Sequence, residues 1–159
     1  MRFDRPKPLT MAQQFLNLRT NPISAGDGRL RGNTLSWGFL VSPTLLSRLY
    51  SARIEYRQEL SPQIFIDDPD LVLLSEGRRL PHVYEQSPTR LCLFHPDFGE
   101  WGAWMRLDQT IVPWTATWLL YFEEWLTSNE WAGGGLHPRL RGQERPRSHG
   151  RSASSRAAR

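Results

Sequence analysis

The spacing of the hydrophobic residues changes partway along this chain, and the change limits the folds that it can adopt. In three short segments between Leu35 and Ile66, hydrophobic residues alternate with polar ones, as in half-buried antiparallel strands. From Ile111 to Leu126, large aromatic residues recur instead at helical spacing, which predicts one helix of about four turns. These aromatic residues are Trp114, Trp118, Tyr121 and Trp125. Together with a short N-terminal helix, this order predicts an α+β fold in which helices back an antiparallel sheet.

Local signals predict where the two helices begin and end. Thr10 is a suitable N-cap for a short amphipathic helix that reaches residue 19. Pro113 suits the first turn of the C-terminal helix, where an N–H group would lack a partner in any case. Asn129 or Gly133 is the predicted C-terminal cap of that helix.

Three segments are predicted to be loops or turns. Glycines cluster with Asn33 over residues 26–33, which favours a loop there. Residues 67–81 contain charges and prolines and are predicted to form a covering loop rather than a central strand. The triplet 133–135 is not followed by Lys-Ser or Lys-Thr and does not follow a strand, so it is predicted to be a turn rather than a phosphate-binding loop.

Charge is distributed unevenly along the chain. The net charge is +4, yet residues 139–159 contain seven arginines and one glutamate, which leaves residues 1–138 with 13 basic and 15 acidic side chains. The C-terminal segment has almost no apolar residues to bury, so we expect a domain over 1–138 and a disordered Arg-rich tail over 139–159. Because the domain itself is mildly acidic, nucleic acid is not the expected partner, although the tail alone suits a non-specific tether.

The chain carries no sign of export or of a membrane anchor. Its longest apolar stretch is far shorter than the roughly 20 residues that cross a bilayer. The N-terminus lacks the apolar centre of a secretory signal, and one cysteine cannot form an internal disulfide. These features predict a cytoplasmic protein.

Cys92 is the only cysteine, and it lies in a segment, residues 80–104, that also holds two of the four histidines. A thiol acts as a nucleophile in its thiolate form, and a few per cent of an ordinary thiol is ionised at neutral pH. Transfer between thioesters therefore needs access to the sulfur more than a dedicated base. The alternative is structural, because a free cysteine often behaves as a small buried hydrophobe.

Cys92 could also take part in metal binding or in hydrolysis. A metal site would draw on His82, Cys92, His95 and His137, but Cys92-x2-His95 is the only tight ligand pair and no carboxylate motif completes a known zinc pattern, so neither a metal nor another cofactor is predicted. A cysteine hydrolase would pair Cys92 with His82 or His95, since an imidazolium lowers the pKa of a neighbouring thiol. The sequence does not supply an oxyanion donor for such a dyad.

Several motifs in order resemble a ubiquitin-conjugating-enzyme (UBC) domain. They are Pro81-His82, Cys92-Leu93, Trp101, Ile111-Val112-Pro113-Trp114 and Trp118-Leu119. The stretches CLFHP, TIVPWTATWLLYFEEW and EWAGGGLHP are similar, more specifically, to the conjugating-enzyme-like proteins of bacterial antiphage operons of the CBASS type. The resemblance covers residues 35–138.

The resemblance implies a fold and a function. The fold would have an N-terminal helix, a four-stranded antiparallel meander and a C-terminal helix. Cys92 would form a thioester with the C-terminus of a cargo protein, a cyclic-nucleotide synthase or a ubiquitin-like protein, and pass it to an acceptor amine. No adenylation sequence is visible, so activation would come from another protein or be bypassed.

The sequence departs from the family pattern at one place. Classical members have His-Pro-Asn upstream of the cysteine, with the Asn associated with the oxyanion, whereas this chain has Pro81-His82-Val83. The candidate oxyanion or orienting groups are therefore His82, His95 and backbone N–H groups. His137 is expected either near the site or at the end of the last turn.

Three hypotheses remain open at this point. The first is a conjugating enzyme with an exposed, reactive Cys92. The second is a non-catalytic UBC-fold scaffold with a buried, structural Cys92. The third is nucleic-acid binding through the Arg-rich tail, which would weaken steeply with salt.

Overall fold

The structure, a computed structural model, describes residues 6–135. Three helices and six strands make up this part of the chain. They are α1 (Met11–Thr20), β1 (Gly26–Arg31), β2 (Thr34–Val41), β3 (Tyr50–Arg57), β4 (Gln63–Asp68), α2 (Leu71–Leu74), β5 (Val83–Glu85), β6 (Thr89–Leu91) and α3 (Ile111–Ser128). Short 3-10 turns lie at Pro22–Ser24 and Pro96–Phe98. The α+β class, with helices at both ends and an antiparallel sheet between them, is confirmed.

The strands form one antiparallel sheet in the order β1-β2-β3-β4-β6-β5. The alternating pattern in β2, β3 and β4 is confirmed, because the hydrophobic residues of each strand are buried in a single core. Phe15 of α1 meets Trp37 of β2 edge to face at 5.5 Å. At the start of β3, the Tyr50 hydroxyl donates to Glu123 of α3 at 2.9 Å. The sheet is thus connected to both long helices.

The predicted number of strands is wrong: the sheet has six strands rather than four. The glycine-rich segment taken for a loop is the edge strand β1, paired with β2 along its whole length. Glycine is needed there because the two backbones lie close together, and a Cβ atom on Gly28 would stand 2.8 Å from the ring of Trp37. Among the glycines of this segment, only Gly32, at φ +57°, occupies the left-handed region that a tight turn requires.

The other missed strands, β5 and β6, have three residues each and are too short to show alternation. The segment before them was predicted to be a covering loop over residues 67–81. It contains the end of β4 and the four-residue helix α2 and otherwise has no strand or helix, so that prediction is only partly right.

The helix boundaries agree closely with the sequence. Thr10 caps α1 in a capping box with Gln13, in which each side chain bonds the other residue's backbone. Helix α3 includes Pro113 in its first turn and ends two residues later than predicted. Asn129, at φ +60°, is the C-cap, and Gly133 lies beyond it. None of the helices within residues 6–135 combines the length and the apolar character needed to cross a membrane.

Buried polar side chains hold the long connection between β6 and α3. Gln14 of α1 is fully buried, donates to the Met105 carbonyl at 2.7 Å and accepts from the Leu107 N–H at 3.0 Å. Asp108 is also fully buried and accepts from Arg106 at 2.7 Å and from Asn21 at 2.8 Å. These bonds fix the start of α3 relative to α1.

The predicted division into residues 1–138 and 139–159 falls partly outside the described residues. The Arg-rich tail and His137 lie there as well, so the expectations for them stay predictions.

Candidate active site

Cys92 stands at the end of the last strand. It directly follows β6, and its backbone N–H donates to the carbonyl of His82 at 3.0 Å, which extends the β5–β6 pairing by one step. The thiol donates to the carbonyl of Phe94 at 3.6 Å. Since the residue is half-buried, the sulfur is neither sealed in the core nor freely exposed.

Two open spaces meet at Cys92. The first, here called the aromatic cleft, has a volume of about 280 Å³ and lies between the Cys92 segment and α3. The second is a groove of about 480 Å³ on the side of His95 and Phe98. Both include Cys92, His82, Leu93, Phe94, Glu100 and Gly134. The scaffold hypothesis predicts a buried thiol, whereas this thiol lies where two openings converge.

Aromatic side chains dominate the first of these openings. Trp114, Trp118 and Tyr121 contribute from successive turns of α3. Trp131 folds back after the helix, with its ring 5.4 Å from that of Trp118 and 5.8 Å from that of Tyr121. Trp118 is buried in the core, and its ring also lies in the wall beside Cys92 together with the others.

Tyr84 is the side chain at Cys92 that the sequence reasoning missed. Its hydroxyl donates to the Phe94 carbonyl at 3.4 Å, the same carbonyl that accepts from the Cys92 thiol. The same hydroxyl can turn its proton to the Cys92 sulfur when the sulfur is a thiolate, and this lowers the pKa of the thiol. No motif marks Tyr84, because its proximity to Cys92 depends on the β5–β6 hairpin, which has no periodic signal.

The surroundings of Cys92 shift its ionisation. Burial raises the pKa of the thiol above its ordinary value, and the negative charge of Glu100 raises it further. The hydrogen bond from Tyr84 acts in the opposite direction, since it stabilises the thiolate. Burial also raises the pKa of Tyr84, so its hydroxyl keeps its proton and remains a donor at neutral pH. Cys92 is therefore mainly a thiol at neutral pH.

His82 lies in the wall of both openings, as predicted for a residue near the cysteine. Its ring is buried and stacks on Trp131 at 5.0 Å. Its φ of +48° is unusual for a residue with a side chain. The carbonyl of His82 accepts two hydrogen bonds, one from the N–H of Cys92 and one from the indole N–H of Trp118 at 3.1 Å.

His95 lines the groove but is engaged with its own turn. Its Nδ1 accepts from the Asp97 N–H at 3.3 Å, and its ring stacks on Phe98 at 4.5 Å. Its backbone N–H donates to Glu100 at 2.7 Å. Glu100 is a second residue near Cys92 that the sequence did not indicate. Its carboxylate is held by the backbone N–H of His95.

Within residues 6–135, no group of three or more His, Cys, Asp or Glu side chains lies close enough together to hold a metal ion. His137, the fourth candidate ligand, lies outside the described residues.

A family model described as the type II CBASS E2 protein (E2-CBASS) matches residues 14–138. The match runs from within α1 to beyond α3 and includes every residue described above around Cys92. No curated protein matches the chain.

Proposed function

The chain belongs to the type II CBASS E2 proteins, E2-like proteins of antiphage defence, and on that basis we propose that Cys92 carries the C-terminus of a cargo protein as a thioester. The acyl group then passes to an amine of an acceptor protein. One observation supports this most directly: the only cysteine of the chain lies at the point where two open spaces meet. A thioester there would lie beside open space.

The cargo and the activating step follow from the family assignment as proposals. We take the cargo to be a cyclic-nucleotide synthase or a ubiquitin-like protein, delivered in activated form by a separate protein. The exchange needs no cofactor: the Cys92 thiol loses its proton to solvent, the sulfur attacks the activated carbonyl, and the leaving group departs with the electron pair of the bond that breaks. A reducing cytoplasm would keep the thiol available.

Tyr84 takes the role of hydrogen-bond donor at the sulfur in this proposal. Its hydroxyl already contacts Cys92 and the Phe94 carbonyl, so it stabilises negative charge on the sulfur during attack and departure. His82 acts as a positioning residue, because its carbonyl holds the Cys92 N–H. His95 positions Glu100 through its backbone.

The proposal is tested by co-expression with a neighbouring synthase or ubiquitin-like protein, followed by denaturing gels with and without thiol reductant. Wild type should give an adduct that reductant removes. Cys92→Ser should give an oxyester that resists reductant, and Cys92→Ala should give none. If wild type forms no adduct while the partner is present and the protein is folded, the non-catalytic scaffold replaces this proposal.

A further inference from the structure

After the last helix the chain returns to the neighbourhood of Cys92. Trp131 folds back, and its ring stacks on His82 at 5.0 Å. Gly135 lines the groove that also includes Cys92, and a Cβ atom on Gly135 would stand 3.6 Å from the His82 ring. The described part of the chain therefore ends in the wall of this groove, and residues 136–159 continue from there.

The groove has room and suitable chemistry for a peptide segment. Its volume is about 480 Å³, and the rings of Phe94 and Phe98 line it, the latter 62% exposed. Glu100 supplies a carboxylate, and among the residues up to 135 no lysine or arginine lines the groove. A segment that fills this space should combine apolar side chains with positive charge, because it then covers the rings and pairs with the carboxylate.

The segment that leaves the groove has this composition. Residues 136–141 read LHPRLR, and Leu136 and Leu140 are the only large apolar residues after Gly135. Arg139 and Arg141 supply two positive charges next to them. The proline fixes its own φ and favours an extended conformation of the residue before it, so a helix is disfavoured here. Six extended residues span about 20 Å, which is enough to cross the groove.

We propose that residues 136–141, here called the strap, lie along the groove and cover the Cys92 thiol until another chain displaces them. The two leucines contact the phenylalanine rings, and the two arginines pair with Glu100. The inference concerns the free thiol and does not depend on the proposed thioester. The predicted disordered tail then begins after residue 141 rather than at residue 139.

Such a strap makes access to Cys92 a competition. A segment joined to the groove by a short linker competes at an effective concentration of about the millimolar range. A dissolved peptide that makes the same contacts therefore competes poorly. A cargo chain that is also held elsewhere on the protein gains a similar effective concentration, so it can displace the strap and reach the sulfur.

The position of the strap is tested by disulfide trapping in the full chain, where Cys92 is the only native thiol. Residues 136–141 are changed to cysteine one at a time, with Ser148→Cys as the control, and each variant is oxidised with glutathione disulfide. Successive side chains of an extended segment point in opposite directions. We therefore expect one strap variant to close a disulfide with Cys92 about tenfold faster than its immediate neighbours and than the control.

Two results of the trapping experiment would overturn the strap. A smooth decline in rate from residue 136 to residue 148 is the behaviour of a free tail, in which only the length of the linker matters. A disulfide between two molecules, seen as a dimer on a non-reducing gel, would assign the groove to the tail of a second copy.

The cover that the strap provides is tested by alkylation of Cys92 with N-ethylmaleimide, a neutral reagent. The double variant Arg139→Glu, Arg141→Glu should react about fivefold faster than wild type, as expected for a strap that is closed about four-fifths of the time. Added negative charge near the thiol would by itself raise its pKa and slow the reaction, so acceleration reports loss of cover. The matched control Arg145→Glu, Arg147→Glu should stay within about twofold of wild type. Equal rates in the two double variants would overturn the strap.

The strap and the proposed function can fail separately. Both strap experiments use the free thiol and need no cargo, so they remain decisive if Cys92 forms no adduct on co-expression. If an adduct forms but neither strap experiment gives the expected result, the thioester stands and the strap is wrong.

Discussion

The meander of β2, β3 and β4 and the site around Cys92 are held together in different ways. In the meander, buried hydrophobic side chains alternate along each strand, and many similar contacts share the stabilisation. Around Cys92, two backbone carbonyls each serve two donors. The carbonyl of His82 accepts from Cys92 and Trp118, and that of Phe94 accepts from Tyr84 and Cys92.

This difference shows what each region tolerates. The free energy gained by burying apolar surface does not depend on the direction of any one contact. The meander should therefore accept apolar replacements of similar volume. A hydrogen bond depends on one atom at one place, so the loss of a single polar group near Cys92 should alter reactivity while changing the stability of the fold little. Substitutions in the meander should therefore act mainly on stability, and substitutions near Cys92 mainly on reactivity.

Trp37→Ala should have the largest effect, and it should be on stability. The ring is only 2% exposed and its indole N–H donates to the Ser24 carbonyl at 3.0 Å. We expect the free energy of unfolding, measured by chemical denaturation, to fall by about 3–5 kcal/mol. Trp104→Ala is the control, because Trp104 is 45% exposed, and it should cost less than about 1 kcal/mol. Similar costs for both would contradict the assignment of Trp37 to the core.

Asp108→Asn should lower stability by about 2 kcal/mol, because the buried carboxylate accepts from Arg106 and Asn21. Burial alone would raise the pKa of Asp108, but these partners outweigh it and hold the pKa below its ordinary value. This stabilisation is present above the ordinary carboxyl pKa and is lost as pH falls through the lowered one. The free energy of unfolding, measured by denaturation at several pH values, should thus fall less steeply with acid in Asp108→Asn than in wild type. The same pH dependence in the variant and in wild type would show that the Asp108 carboxylate does not stabilise the fold.

Tyr84→Phe should act on reactivity rather than on stability. Without the hydroxyl the thiolate loses a hydrogen bond, the pKa of Cys92 rises further, and alkylation by iodoacetamide near neutral pH should slow about fivefold. The same change at Tyr56, whose buried hydroxyl has no hydrogen-bond partner within residues 6–135, should leave the rate unchanged. An equal slowing in both variants would show a general effect of the substitution and not a contact with Cys92.

Glu100→Gln should give the smallest effect on the free thiol, and in the opposite direction. Removal of the negative charge lowers the pKa of Cys92, so alkylation near neutral pH should accelerate about twofold, and less at high salt. Glu124→Gln serves as the matched control and should react like wild type. Slower alkylation in Glu100→Gln would mean that Glu100 does not act on Cys92 through its charge.

The same contrast explains which parts of the molecule could be predicted from its sequence. Strands β2 to β4 and helices α1 and α3 follow from periodicity and capping residues, because burial of one face imposes a period. Strand β1 was missed because its glycines, which permit the close approach to β2, are also typical of loops. The resemblance identified the family, which the match over residues 14–138 confirms.

The site was predictable only in part. Cys92, His82 and His95 were named in advance, and all three line the same groove, although their chemical roles remain proposals. Tyr84 and Glu100 were not named. They reach Cys92 through a three-residue strand pairing and a 3-10 turn, which depend on contacts between distant segments rather than on any local pattern.

The shared carbonyl of His82 also has a mechanical consequence. It joins the indole of Trp118, in the middle of α3, to the backbone of Cys92 through a single oxygen atom. A protein that presses on the exposed side of α3 and tilts the helix must either stretch this link or carry the Cys92 backbone with it. The position of α3 and the position of the Cys92 peptide unit are thus tied to the same acceptor atom.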